Sequence, residues 1–129
     1  MSIYSGVVSL FENSTSSERY MLIFDNALHN VAPNPPPAEA TELGDYQRYA
    51  DPVWDERHMN NVNQHFVTAF LAQTLRGEDQ SAVLEPAVED ANDGVYSVDN
   101  DGNFTENHSY WAGFQPRTAL GLSLRVIKP

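Results

Sequence analysis

Five residues, Tyr20-Met21-Leu22-Ile23-Phe24, run apolar without a break and then give way to Asp25-Asn26-Ala27-Leu28-His29-Asn30. A short continuous apolar run bounded by polar residues reads as a strand buried on both faces, as in a parallel sheet. Such a strand needs neighbours on both edges, because an open apolar edge invites aggregation. This requirement constrains the chain more than any other feature. It also singles out His29, since ligands and catalytic groups of open α/β sheets gather where such strands end. A lone histidine after a strand is more often structural than catalytic, so His29 needs further support.

The surrounding pattern is that of an α/β chain. Tyr4, Val7, Val8 and Phe11 recur at i, i+3, i+4 and i+7, one face of a helix, with Ser2 as its N-cap. Asn13 to Ser17 reads as a polar turn. After His29, the prolines at 33, 35, 36 and 37 exclude helix and central strand, leaving an extended surface segment. Leu43 to Ala50 is a mixed linker that either covers the sheet edge or walls a pocket. Asp51-Pro52 has the form of a helix start, with Asp as N-cap and Pro at the first helical position. The main helix is expected from Val53 to Leu75, stopping near Gly77. Its buried stripe is Met59, Val62, Phe66, Ala69 and Phe70, widened by Val67 and Leu71. Asn63 falls within that stripe and needs a hydrogen-bond partner if buried.

Glu78 to Asn107 is mostly loop. Within it, Val95–Val98 and Asn103–Thr105 flank Asp99-Asn100-Asp101-Gly102, which suggests a small hairpin. Leu120, Leu122, Leu124 and Val126 alternate with Gly121, Ser123, Arg125 and Ile127, so the chain ends on a strand with one apolar face. This strand is the chief candidate partner for Tyr20–Phe24, and a two-stranded sheet alone is marginal. No internal repeat and no second domain are visible.

Charge and residue counts remove whole classes of function. The chain of 129 residues carries 18 acids against 7 Lys and Arg, a net charge of −11. That disfavours contact with nucleic-acid phosphates or anionic lipid. Nine of the acids lie between Gly77 and Trp111, where Lys and Arg are absent, as in a solvated acidic surface region. Without cysteine there is no disulfide framework, zinc-thiolate site or thiol nucleophile. No stretch is long and apolar enough to span a membrane, and no signal peptide is visible.

Further motifs give little. His58 and His65 lie two helical turns apart, about 10 Å of rise, whereas zinc pairs on a helix sit at i, i+4. Both read as structural, with His65 packed and its ring hydrogen-bonded. Asp99-Asn100-Asp101-Gly102 resembles part of a calcium loop, but the twelfth position would be His108 in place of a bidentate acid, so a turn is expected. Asn13-Ser14-Thr15, Asn103-Phe104-Thr105 and Asn107-His108-Ser109 match the glycosylation pattern by chance. No Gly-rich phosphate loop and no Gly-x-Ser-x-Gly elbow are present. Neither a cofactor nor a metal is expected.

Several segments taken together are similar to a known family. Ser5-Gly6-Val7 to Phe11-Glu12 is followed by Arg19–Leu22 and Asn26-Ala27-Leu28-His29-Asn30. Next come Asp51-Pro52-Val53-Trp54-Asp55, then Gln64-His65-Phe66 with Ala69-Phe70-Leu71. Trp111-Ala112-Gly113-Phe114, Arg117 and Gly121-Leu122 close the series. In this order they resemble the C-terminal part of α/β-hydrolases of the predicted dienelactone hydrolase type, related to platelet-activating-factor acetylhydrolases. Residues 79–107 match least.

The resemblance implies an α/β fold comprising the C-terminal portion of an α/β-hydrolase: helix, buried strand, histidine loop, long helix, irregular acidic segment and C-terminal strand. It implies that His29 is the triad histidine, which takes the proton of a serine and returns it to the leaving group. Asn26 and Asn30 are candidate neighbours that orient it. In such enzymes the order is serine, acid, histidine, so nucleophile and acid are expected upstream of Met1. Asp25 is a poor substitute acid, because it ends the histidine's own strand. The chain is then expected to be the last third of an ester or lactone hydrolase, one incomplete domain over residues 1–129 and inactive by itself. A small ester or lactone would be its substrate once an N-terminal portion completed it. A reading from another class is a self-standing acidic binding module that engages a basic partner. Metal-dependent catalysis through His29, His58, His65 or His108 lacks any ligand spacing.

Overall fold

The apolar run Tyr20–Phe24, with two aromatic residues and the β-branched Ile23, forms strand β1 (Arg19–Phe24) together with Arg19. In a computed structural model of the chain, residues 3–28 and 37–129 are described. Helix α1 (Ile3–Asn13) precedes β1. A single helical turn, α2 (Leu43–Tyr46), and the long helix α3 (Glu56–Arg76) follow it. Next come a short helix α4 (Ser81–Leu84), a 3₁₀ turn (Ala91–Asp93) and strand β2 (Leu122–Ile127). The described chain is therefore a mixed α and β structure, with β1 and β2 paired as an antiparallel two-stranded sheet.

That sheet departs from the expected surroundings of β1. Only Met21 is buried in the strand, and its other five residues are half-buried. The continuous apolar run does not reflect a strand enclosed on both faces by a parallel sheet. Among the described residues β1 has one strand partner, β2. The alternation read for β2 holds at its start, with Leu122 and Leu124 buried. Leu120 lies before the strand and is exposed, because Gly121 turns the backbone at φ 78°.

The chain divides into two compact units. The first comprises residues 1–23 and 84–129. Its buried side chains include Phe11 of α1, Met21 of β1, Leu84, Ala91, Tyr110, Trp111, Ala119, Leu122 and Leu124. The acidic segment thus supplies core residues as well as solvated charge. Two buried aromatic groups also carry polar tips with partners. The Trp111 indole donates to the Val88 carbonyl at 2.9 Å, and the Tyr110 hydroxyl accepts from the Ala119 N–H at 3.0 Å. Asp90 forms an antiparallel bridge with Ser123. Around Arg125, Glu12 and Glu89 lie at 3.6 and 3.7 Å, and the guanidinium stands over the Phe11 ring. Partly exposed pairs of this kind contribute roughly 0–1 kcal/mol each.

Gly94 packs against this core. A β-carbon there would lie 2.9 Å from the Tyr110 ring and 3.2 Å from the Ala91 carbonyl and the Tyr110 backbone. Gly94→Ala is expected to cost about 1–2 kcal/mol by overpacking. Urea unfolding checks this, with a lowered midpoint at unchanged slope.

The second unit is residues 24–83 and contains α3. The helix begins at Glu56, with Asp55 as N-cap accepting the His58 N–H, so Asp51 is not the cap. The local rule fits both aspartates, but Asp51 is engaged elsewhere, as described below. The expected end is correct. Gly77 takes the left-handed conformation at φ 67°, and its N–H bonds the Gln73 carbonyl at 3.1 Å. The buried stripe is Met59, Val62, Phe66, Ala69 and Ala72, with Glu56 at its start. Phe70, Val67 and Leu71, expected to belong to it, are exposed. Asn63 is half-buried. Among the described residues no helix is long and apolar enough to cross a membrane.

Candidate functional site

His29 and Asn30 lie outside the described residues, as does most of the proline segment that follows them. The turn that leads to His29 is described as far as Leu28. β1 ends at Phe24, the Ala27 N–H closes back on the Phe24 carbonyl at 3.3 Å, and Asn26 is left-handed at φ 57°. Asparagine tolerates that region better than most residues, because its short polar side chain can bond locally. Asn26 thus shapes the turn through its backbone.

Two side chains from Asp51–Trp54 hold this turn. The Trp54 indole N–H donates to the Asp25 carbonyl at 2.8 Å. The Asp51 carboxylate accepts the Leu28 N–H at 2.7 Å through one oxygen. Its other oxygen accepts the Val53 and Trp54 N–H groups at 2.9 and 3.0 Å. Phe24 meets Trp54 edge-on at 5.1 Å, and His58 stacks on Trp54 at 6.0 Å. Asp51 is buried. Burial raises its pKa, but the N–H bonds from Leu28, Val53 and Trp54 outweigh that, and the net shift is downward.

Reading Asp51-Pro52 as a helix start missed this role. The available signal was that Asp followed by Pro also opens an Asx turn, in which the carboxylate bonds N–H groups two and three residues on. The bond to Leu28 spans 23 residues and has no local signature.

His65 meets the Phe66 ring edge-on at 5.2 Å. His108 accepts the Ser97 N–H through Nδ1 at 3.2 Å and stacks on Phe104 at 3.8 Å. Among the described residues no group of three His, Cys, Asp or Glu side chains is placed to hold a metal ion. Asp99-Asn100-Asp101-Gly102 is a turn: Asp99 accepts from the Asp101 and Asn103 N–H groups, and Gly102 is left-handed at φ 85°. The Asn103 N–H bond comes first among the causes that lower the Asp99 pKa. The hairpin it closes consists of a single Val98–Phe104 bridge and adjoining bonds, short of two full strands.

No family model, curated protein or solved structure matches the chain.

Proposed function

We propose that this chain is the histidine-bearing C-terminal portion of a serine hydrolase of the α/β-hydrolase type, acting on esters or lactones. His29 would be the base of the triad, and the chain alone would be inactive. A histidine base without its serine has no acyl-enzyme route. The observation that carries the reading is the double anchoring of the turn before His29, by Trp54 on Asp25 and by Asp51 on Leu28. A catalytic base has to be held within a fraction of an ångström by its supporting residues. Asp51 and Trp54, which do the holding, belong to the same short segment that resembles the hydrolases. The single strand partner of β1 among the described residues leaves an edge at which a further strand of such a sheet would pair.

Sequencing the genomic DNA upstream of the Met1 codon tests the proposal. An open frame with a Gly-x-Ser-x-Gly elbow, and an Asp shortly before Ser2, is the expected result. A stop codon close upstream, with no such frame nearby, would overturn it. The isolated chain is expected to hydrolyse p-nitrophenyl acetate no faster than free imidazole does.

The acidic binding module draws on a separate observation. Phe104 is 65% exposed on the hairpin that carries Asp99 and Asp101. An exposed aromatic group among acids suits a basic partner. Salt-sensitive binding of a lysine-rich peptide, lost on Phe104→Ser, would favour this reading.

A further inference from the structure

A pocket of about 640 Å³ opens beside the start of α3. It is far larger than an ion or a water needs and falls in the range of small-molecule sites. Its lining includes the apolar residues Ala38, Ala40, Val53 and Trp54 together with the acids Asp51, Asp55 and Glu56.

Two of these acids already have structural work. Asp51 holds three backbone N–H groups, and Asp55 caps α3. Glu56 has no such task. It is nine-tenths buried, and its Oε1 is enclosed without a hydrogen-bond partner. Among the described residues no cation lies within ion-pair distance of it. Burial first, and then the Asp55 charge, push its pKa upward. A buried carboxylate without donors is costly, and natural structures place a cation or donor against it.

We propose that this pocket binds a small organic ammonium with an apolar tail. The ammonium N–H groups pair with the Glu56 carboxylate, and the tail lies against Trp54 and the alanines. Glu56 forms part of the pocket wall, and a carboxylate shares its charge over both oxygens, so a donor in the pocket offsets the charge that the enclosed Oε1 leaves unpaired. An orphan acceptor calls for N–H groups, which a quaternary ammonium lacks. A metal ion is disfavoured because no three ligating side chains converge there among the described residues. Two positive contributions oppose a cation: the start of α3, worth roughly half a charge, and Arg57, which is exposed on the same wall. Three carboxylates exceed them, so the pocket stays anionic.

The test is a titration of the full chain at pH 7 with n-hexylammonium, followed by ¹H–¹⁵N NMR. Saturable shifts of the Ala40 and Val53 amides and the Trp54 indole N–H are expected. Glu56→Gln should weaken binding at least tenfold. That variant should also unfold at a higher temperature than the native chain, because it removes a group whose ionisation is opposed by burial and by Asp55. n-Hexyltrimethylammonium, with the same charge and tail but no N–H, should likewise bind at least tenfold more weakly, an arm that depends on no variant's folding. The proposal is overturned if n-hexylammonium produces no saturable shift, if Glu56→Gln binds it equally well, or if the trimethyl compound matches it. None of these outcomes bears on His29, so the hydrolase reading stands or falls separately.

Discussion

Replacing Met59 with alanine is expected to lower the stability of the chain by about 2–5 kcal/mol, the range for truncating a buried Leu, Ile or Met. Met59 is fully buried and begins the apolar stripe of α3. Loss of its side chain removes both the transfer free energy of the buried atoms and their packing contacts. The matched comparison is Leu75→Ser on the same helix. Leu75 is 75% exposed, so that change is expected to stay within about 0.5 kcal/mol. Urea denaturation of both variants checks the pair. A Leu75→Ser loss as large as that of Met59→Ala would mean that the exposed face of α3 is covered in solution. Equal and small losses would mean that the stripe is not the core of its unit.

The contrast bears on what periodicity can reveal. Met59, Val62, Phe66 and Ala69 are legible because a 3.6-residue period finds the centre of an apolar stripe. Its width is not legible. Val67, Phe70 and Leu71 are as apolar as the buried positions, yet whether they are covered depends on what packs there. The same limit applies to β1. Its apolar run marks a strand, but the single strand partner and the half-buried faces are tertiary facts. The end of α3 was readable because Gly77 serves a local need, a left-handed residue that closes the last turn. The start was misread because Asp51-Pro52 and Asp55-Glu56 both satisfy the local rule for a helix start. Only the bond from Leu28 separates them.

The candidate site divides in the same way. His29 stands out in the sequence because a polar turn follows an apolar run. The residues that hold the turn could not be found from spacing, since Asp25 and Trp54 are 29 positions apart and Leu28 and Asp51 are 23 apart. Such partners become visible only when the chain is folded. The orphan carboxylate of Glu56 was hidden for a related reason. Glutamate in the first turn of a helix ordinarily complements the helix dipole in water, and nothing local indicates that this one is buried.

Asp51→Ala is expected to be the most disruptive change to the candidate site, costing about 3–4 kcal/mol at pH 7. The change leaves three backbone donors without their acceptor, each worth roughly 1–3 kcal/mol when buried, and the lower part of the summed range applies where water can reach them. The Leu28 amide and the Trp54 indole N–H should lose protection from hydrogen exchange, while amides in the middle of α3 keep theirs. The pH dependence gives an independent check. The folded-state pKa of Asp51 lies below its ordinary value of 3.8. Its stabilisation is therefore fully present above that value and is lost as pH falls through the lower, folded-state pKa. The native chain and Asp51→Ala should differ most near neutrality and converge in strong acid. Glu56 runs the opposite way. Its pKa is raised above 4.5, so its burial penalty is absent below 4.5 and complete above the raised value. Glu56→Gln should accordingly exceed the native chain in stability at pH 7 and match it below pH 4.5. If Asp51→Ala instead shows a constant deficit at every pH, its cost arises from packing, and the carboxylate does not clamp the turn that leads into His29.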